Sequence, residues 1–288
     1  MINGLKKEFM FYSRGGRLAI VLIFMVALAV MSPVMFGMMS GLMESMKEML
    51  PDDDQYAQMA DMFTTFSASD MIMYTIEYVA GIGSIVILFL FKGAAGGEQT
   101  RRSVIIPQCS GLTAERYALP KFLIYPFSIL IISAAAVIAG AGTSLLFFPG
   151  DLDWSMVLLA ALCTGVYLAF STAMQFTIGI CTGRANVAVV IVIVLNMILP
   201  SILGLFRVDR FNPFALQSIA LTAARESGET GNALLAAAET VSSSSDLSTL
   251  NICVSLGTAV SISILLYFVT VFILHTKEVH NEGNEPVL

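Results

Sequence analysis

Six long apolar runs, at 18–42, 72–91, 122–147, 155–181, 187–206 and 252–274, dominate this chain. Crossing a bilayer takes ~20 mostly apolar residues, and each run meets that length. Hydrocarbon offers the backbone no hydrogen-bond partner, so each run must satisfy its own N–H and C=O groups as a helix. The runs are too long to be barrel strands. Composition agrees: 57% of the residues are hydrophobic and 12% charged, against ~45–50% and ~25% in soluble domains. The expected fold class is all-α, a polytopic membrane protein with 1–288 as a single transmembrane domain.

The first run has a basic lead (Lys6, Lys7, Arg14, Arg17) and an Ala27-Leu28-Ala29 that imitates a signal cleavage site. Its hydrophobicity continues to about Met39, too long for a signal core, so it reads as an uncleaved first span. Orientation follows from the basic residues. With the N-terminus inside, the inner segments hold Lys6, Lys7, Arg14, Arg17, Lys92, Arg101, Arg102, Arg116, Lys121, Arg184 and Lys277, which is 11 of 15. Both termini are then cytoplasmic. The outer segment 43–71 holds Glu44, Glu48, Asp52, Asp53, Asp54, Asp61 and Asp70. The net charge of -6 therefore describes an acidic exterior, and no nucleic-acid partner is expected.

Residues 1–17 read as an interfacial helix. Leu5, Phe9 and Tyr12 recur at i, i+4 and i+7 beside the basic side chains, a pattern drawn to anionic lipid. Gly15-Gly16 would turn the chain into the first span. The outer segments 43–71 and 207–250 are too short for independent domains. Residues 275–288 form a tail.

Several chemistries lack their residues. The sequence holds no GxxxxGK[ST] phosphate loop, no HExxH and no GxSxG, and its two histidines, His275 and His280, lie near the C-terminus. The chain is therefore read as a non-enzyme without a catalytic or metal site. Cys109, Cys163, Cys181 and Cys253 show no CxxC spacing and read as packing residues. Eleven of seventeen methionines lie between Met31 and Met73. Thioethers suit Cu(I), yet no His or Cys joins them outside, so flexible apolar filler is the preferred reading.

Within the spans, Glu77 is the one ionisable residue well inside a run, with Tyr74, Tyr78 and Gly81 on its helical side. An intramembrane carboxylate marks either a water-filled path or a local hydrogen bond. Thr164, Ser171 and Gln175 share one face of the fourth span, more in keeping with helix–helix contact than with a substrate track. Ala134 to Ala136 and Ala139 to Gly142 offer a surface for close helix approach. Asn196 precedes Pro200 by one turn, where the missing N–H permits a bend.

The polar stretch 92–121, between the second and third runs, carries a third of all Lys and Arg. Its Glu98, Thr100, Pro107, Ser110-Gly111, Tyr117 and Lys121 resemble the cytoplasmic loop of the membrane permeases of ATP-binding-cassette (ABC) exporters, the type-2 family related to the ABCG class. The basic amphipathic lead, the six spans and the long outer segment after the fifth also match that family. Arg101 departs from it, standing where a small residue is common.

The resemblance implies that 98–116 holds a coupling helix seated in a separate ATPase subunit, with Glu98, Arg101, Arg102, Glu115 and Arg116 as the polar contacts. Lys92 and Lys121 would merely mark the membrane edge. Two permease chains would pair, as a homo- or heterodimer, with the second and fifth spans lining the path. Tyr74, Glu77, Asn196 and Pro200 would then face the translocation path. The expected setting is a bacterial cytoplasmic membrane, with ATP and Mg confined to the partner subunit. The cargo would be a lipophilic or amphipathic peptide, antibiotic or lipid. A gradient-driven carrier using Glu77, or a membrane anchor or sensor, are the alternatives.

Overall fold

Residues 2–49, 66–97, 113–205, 212–228 and 249–282 are described by a computed structural model. The helices are α1 (Ile2–Arg14), α2 (Arg17–Met49), α3 (Ala68–Ala80), α4 (Ile82–Lys92), α5 (Ala114–Phe147), α6 (Trp154–Thr182), α7 (Ala185–Leu205), α8 (Ala215–Glu226) and α9 (Thr249–Glu282). A π-helical turn, Gly93–Gly97, extends α4. No strand occurs among the described residues, so the chain is all-α. Six segments are long and apolar enough to cross a membrane: α2, α3 with α4 and the π turn, α5, α6, α7 and α9.

The expected turn at Gly15-Gly16 is present, and Gly16 adopts φ +68°, a conformation that costs glycine little. The second span is longer than the apolar run alone suggests. Ser67 caps it: its hydroxyl accepts from the Asp70 N–H, while the Asp70 carboxylate accepts from the Ser67 N–H at 2.9 Å. This reciprocal cap satisfies two otherwise orphaned helix donors. It also buries Asp70, which the sequence places in a solvated acidic segment. The same span breaks at Gly81, where ψ of -82° separates α3 from α4. The third span starts early too, at Ala114, so the last eight residues of the 92–121 stretch, Ala114 to Lys121, are helix rather than loop.

α6 is the hub, packed against α5, α7, α8, α9 and the π turn. Small residues allow those approaches. A Cβ on Gly165 would stand 2.9 Å from the Leu130 carbonyl oxygen of α5, and one on Gly179 would collide with the Ala95 carbonyl of the π turn. The small-residue surface of α5 behaves as expected: a Cβ on Gly140 would lie 2.5 Å from Thr75 and 3.1 Å from the Ala29 carbonyl oxygen. At the end of the bundle away from α1, α8 packs on α3 and α6. There the Asp153 N–H donates to the Ser227 carbonyl at 2.8 Å.

Candidate functional site

A buried polar cluster sits where α1 meets the start of α5 and the π turn. Lys121 lies two turns into α5 and is fully buried, which corrects its reading as a membrane-edge marker. Its ammonium donates to the Ala94 carbonyl oxygen at 3.2 Å and pairs with the Glu8 carboxylate at 3.4 Å. It also stands 4.9 Å from the Tyr117 ring centroid. The Tyr125 hydroxyl donates to the other Glu8 oxygen at 3.5 Å, a long and therefore weak bond. A buried cation is tolerated only with such compensation.

The π turn makes this arrangement possible. Gly-Ala-Ala-Gly-Gly carries no bulk, so its backbone lies directly on α6. Because π-helical bonding shifts the backbone register, the Ala94 carbonyl is available to Lys121.

α1 docks through a different face from the one its spacing suggests. Leu5 and Tyr12 turn inward, but Phe9 is 54% exposed; Glu8 occupies the inward position between them. The Tyr12 ring lies 5.6 Å from Phe91 and 5.0 Å from Tyr125. Burial pushes the Tyr12 hydroxyl up to a pKa of about 12, and that hydroxyl has no hydrogen-bond partner among the described residues. The cluster neutralises its own charges and offers no free nucleophile or base. Its chemistry is attachment: it makes α1, the π turn and α5 one unit.

The residues singled out in the sequence fall into separate places. Glu115 and Arg116 are exposed on the first turn of α5. Glu98, Arg101, Arg102 and Cys109 lie outside the described residues. Tyr74 is half-buried and stacks on Phe36, with ring centroids 5.1 Å apart and planes 19° apart. Glu77, Tyr78 and Gly81 are exposed along the same span.

Asn196 exchanges hydrogen bonds with Ser171 of α6 at 3.3–3.4 Å. Pro200 stands one turn further along α7, which continues past it to Leu205. Gln175 donates from its amide to the Leu88 carbonyl of α4. Thr164 bonds within its own helix, to the Ala160 carbonyl. Two members of the α6 polar stripe thus join helices. A cavity of about 380 Å³ between α5, α6 and α9 is lined by none of Tyr74, Glu77, Asn196 or Pro200.

Among the described residues, no cluster of three or more His, Cys, Asp or Glu could hold a metal ion. Cys163 is buried, Cys181 half-buried and Cys253 exposed.

Sequence reasoning missed the Glu8–Lys121 pair, although a signal exists. Glu8 is the lone acid of the basic lead, and Lys121 is flanked by Pro120 and the apolar run that follows it. Comparison with protein-family models, with curated proteins and with solved structures finds no match to this chain.

Proposed function

We propose that this chain is the membrane-spanning subunit of an ATP-driven exporter of the type-2 ABC kind. It works with a separate ATPase subunit and a second permease chain in a bacterial cytoplasmic membrane. One observation carries the reading beyond the resemblance of the 98–121 motif. The segments on either side of 98–112, the π turn ending at Gly97 and α5 starting at Ala114, are joined by Lys121 and clamped to α1 by Glu8. A partner gripping Glu98, Arg101, Arg102, Glu115 and Arg116 would push on one rigid piece rather than on a slack connector.

Transmission then follows the packing. The π turn rests on α6 at Gly179, and α6 touches α5, α7, α8 and α9. Movement of the clamped unit therefore reaches the centre of the bundle without an intervening loop. ATP and Mg belong to the partner, and this chain supplies the lever and the path. Glu77, exposed on the outer half of the second span, would contribute to a path completed by the paired chain. The apolar character of the spans favours lipophilic or amphipathic cargo.

The test is co-expression with an ATPase subunit encoded beside it. A stable complex is expected, and the permease should stimulate ATP hydrolysis. Glu98→Ala or Arg116→Glu should uncouple hydrolysis from transport while the spans stay folded. Failure of the purified chain to associate with any such ATPase would sink the reading. Transport that persists without the ATPase and follows a proton gradient would favour the carrier instead.

A further inference from the structure

The cavity between α5, α6 and α9 has an origin that can be traced to single residues. Ala169 on α6 and Ser263 on α9 line it half-exposed, with Ala173 and Ala259 buried one turn away from them on the same helices. Side chains this small leave a gap where two helices would ordinarily interlock. On the third wall, Pro126 interrupts the hydrogen-bond ladder of α5, because its ring nitrogen carries no hydrogen. Phe122 and Tyr267 bring their rings within 5.7 Å and close one end. Phe127 (62% exposed), Leu123, Val260 and Ile264 form an open lateral mouth.

Water is a poor occupant. The space of about 380 Å³ would hold many molecules at roughly 30 Å³ each, but a buried water needs two to four polar partners. The Ser263 hydroxyl is already committed to the Ala259 carbonyl at 2.8 Å, and the other wall side chains, Tyr267 aside, carry no polar atom. An empty gap forfeits dispersion contacts along its whole lining. All three walls belong to membrane-crossing segments, so the mouth opens sideways at the depth of the hydrocarbon.

We propose that this groove is a specific site for one acyl chain of a membrane phospholipid, which enters through the Leu123–Phe127 and Val260–Ile264 mouth and lies over Ala169 and Ser263. Lipid at an ordinary apolar surface gains nothing over its neighbours, since tails are as apolar as the side chains they meet. Here the gain is shape: the chain fills a slot that no side chain fills. The site is independent of the exporter reading and would stand if that reading fell.

The experiment reconstitutes the full chain into phosphatidylethanolamine–phosphatidylglycerol vesicles containing a phospholipid with a photoactivatable diazirine midway along one acyl chain. Adducts are mapped by mass spectrometry. Labelling of the groove lining should exceed that of Met31, Met35 and Met38, which are comparably open on α2, by about tenfold, the ratio that about 1.4 kcal/mol of preference gives. Ala169→Phe and Ser263→Phe should each abolish the excess. Both positions are half-exposed, so folding should survive, with monodisperse elution as the check. Should one variant misfold, the other decides.

Equal labelling of the groove and the α2 face, or an excess unchanged by filling, would overturn the proposal, leaving annular lipid only. Crosslinking of the groove to a second copy or to another protein helix would overturn it as well.

Discussion

α6 and α9 look alike as sequences and behave as opposites in the fold. Both are apolar enough to cross a membrane, yet 72% of the most apolar window of α6 is buried and only 11% of that of α9. The difference lies in what interrupts the apolar residues. α6 places Thr164, Ser171, Thr172, Gln175 and Thr177 in buried positions and uses Gly165 and Gly179 for close contact. α9 presents Leu265, Phe268 and Phe272 outward, and its Gly257 has nothing within 4 Å of a Cβ position. In a bilayer, apolarity admits a helix, while small and polar residues decide which neighbours it keeps.

The contrast can be broken most severely where α6 meets the clamped unit. Lys121 holds the π turn that rests on α6, and Lys121→Met would leave Glu8 without its cation. Breaking one partner of a buried pair costs ~3–5 kcal/mol, to be read as a large fall in melting temperature in detergent. The double substitution Glu8→Leu with Lys121→Met should recover most of that loss. Next in size, Gly179→Leu drives a side chain into the Ala95 carbonyl and should cost ~1–3 kcal/mol. Gly257→Leu on α9 should leave the melting temperature where it was; equal damage from both would erase the distinction between hub and periphery.

Gln175→Leu removes the bond from α6 to the Leu88 carbonyl and should cost about 1 kcal/mol, typical of a side-chain hydrogen bond between membrane helices. Tyr12→Phe removes a buried hydroxyl without a partner and should stabilise by about 1 kcal/mol at neutral pH. The same residue makes a pH test. Its folded-state pKa of about 12 exceeds the ordinary 10.0, so docking of α1 is fully supported below pH 10 and loses support as pH rises from 10 to 12. Hydrogen exchange in α1 should accelerate over that window in the parent chain, and the Tyr12→Phe chain should lack the part due to phenol ionisation. Smallest of all, Phe272→Ala on the open face of α9 should change stability by less than about 0.5 kcal/mol.

The spans were legible in the sequence because hydropathy over ~20 residues is a strong and local signal. The ends of the spans were less so. Ser67 and Asp70 extend α3 by a capping box that polar composition disguises as loop, and Ala114 to Lys121 form helix despite four charged or proline side chains. The Ser171–Asn196 bond was half visible, as a polar stripe on one helix and an asparagine on the next, with no local rule to pair them.

Lys121 was misread for a clear physical reason. A lysine near the end of an apolar run ordinarily snorkels to the interface, and only tertiary structure brings Glu8 to it. The wall of small residues on α6 was equally hard to read. Ala169 and Ala173 resemble ordinary packing positions until α9 supplies Ala259 and Ser263 opposite.

The Glu8–Lys121 pair also sets an order of events in biosynthesis. Chains are made from the N-terminus, so Glu8 leaves the ribosome long before Lys121. When α5 is made, the carboxylate that neutralises its lysine is already in place on α1. A chain shortened by its first sixteen residues would therefore be damaged at its third crossing rather than at its first.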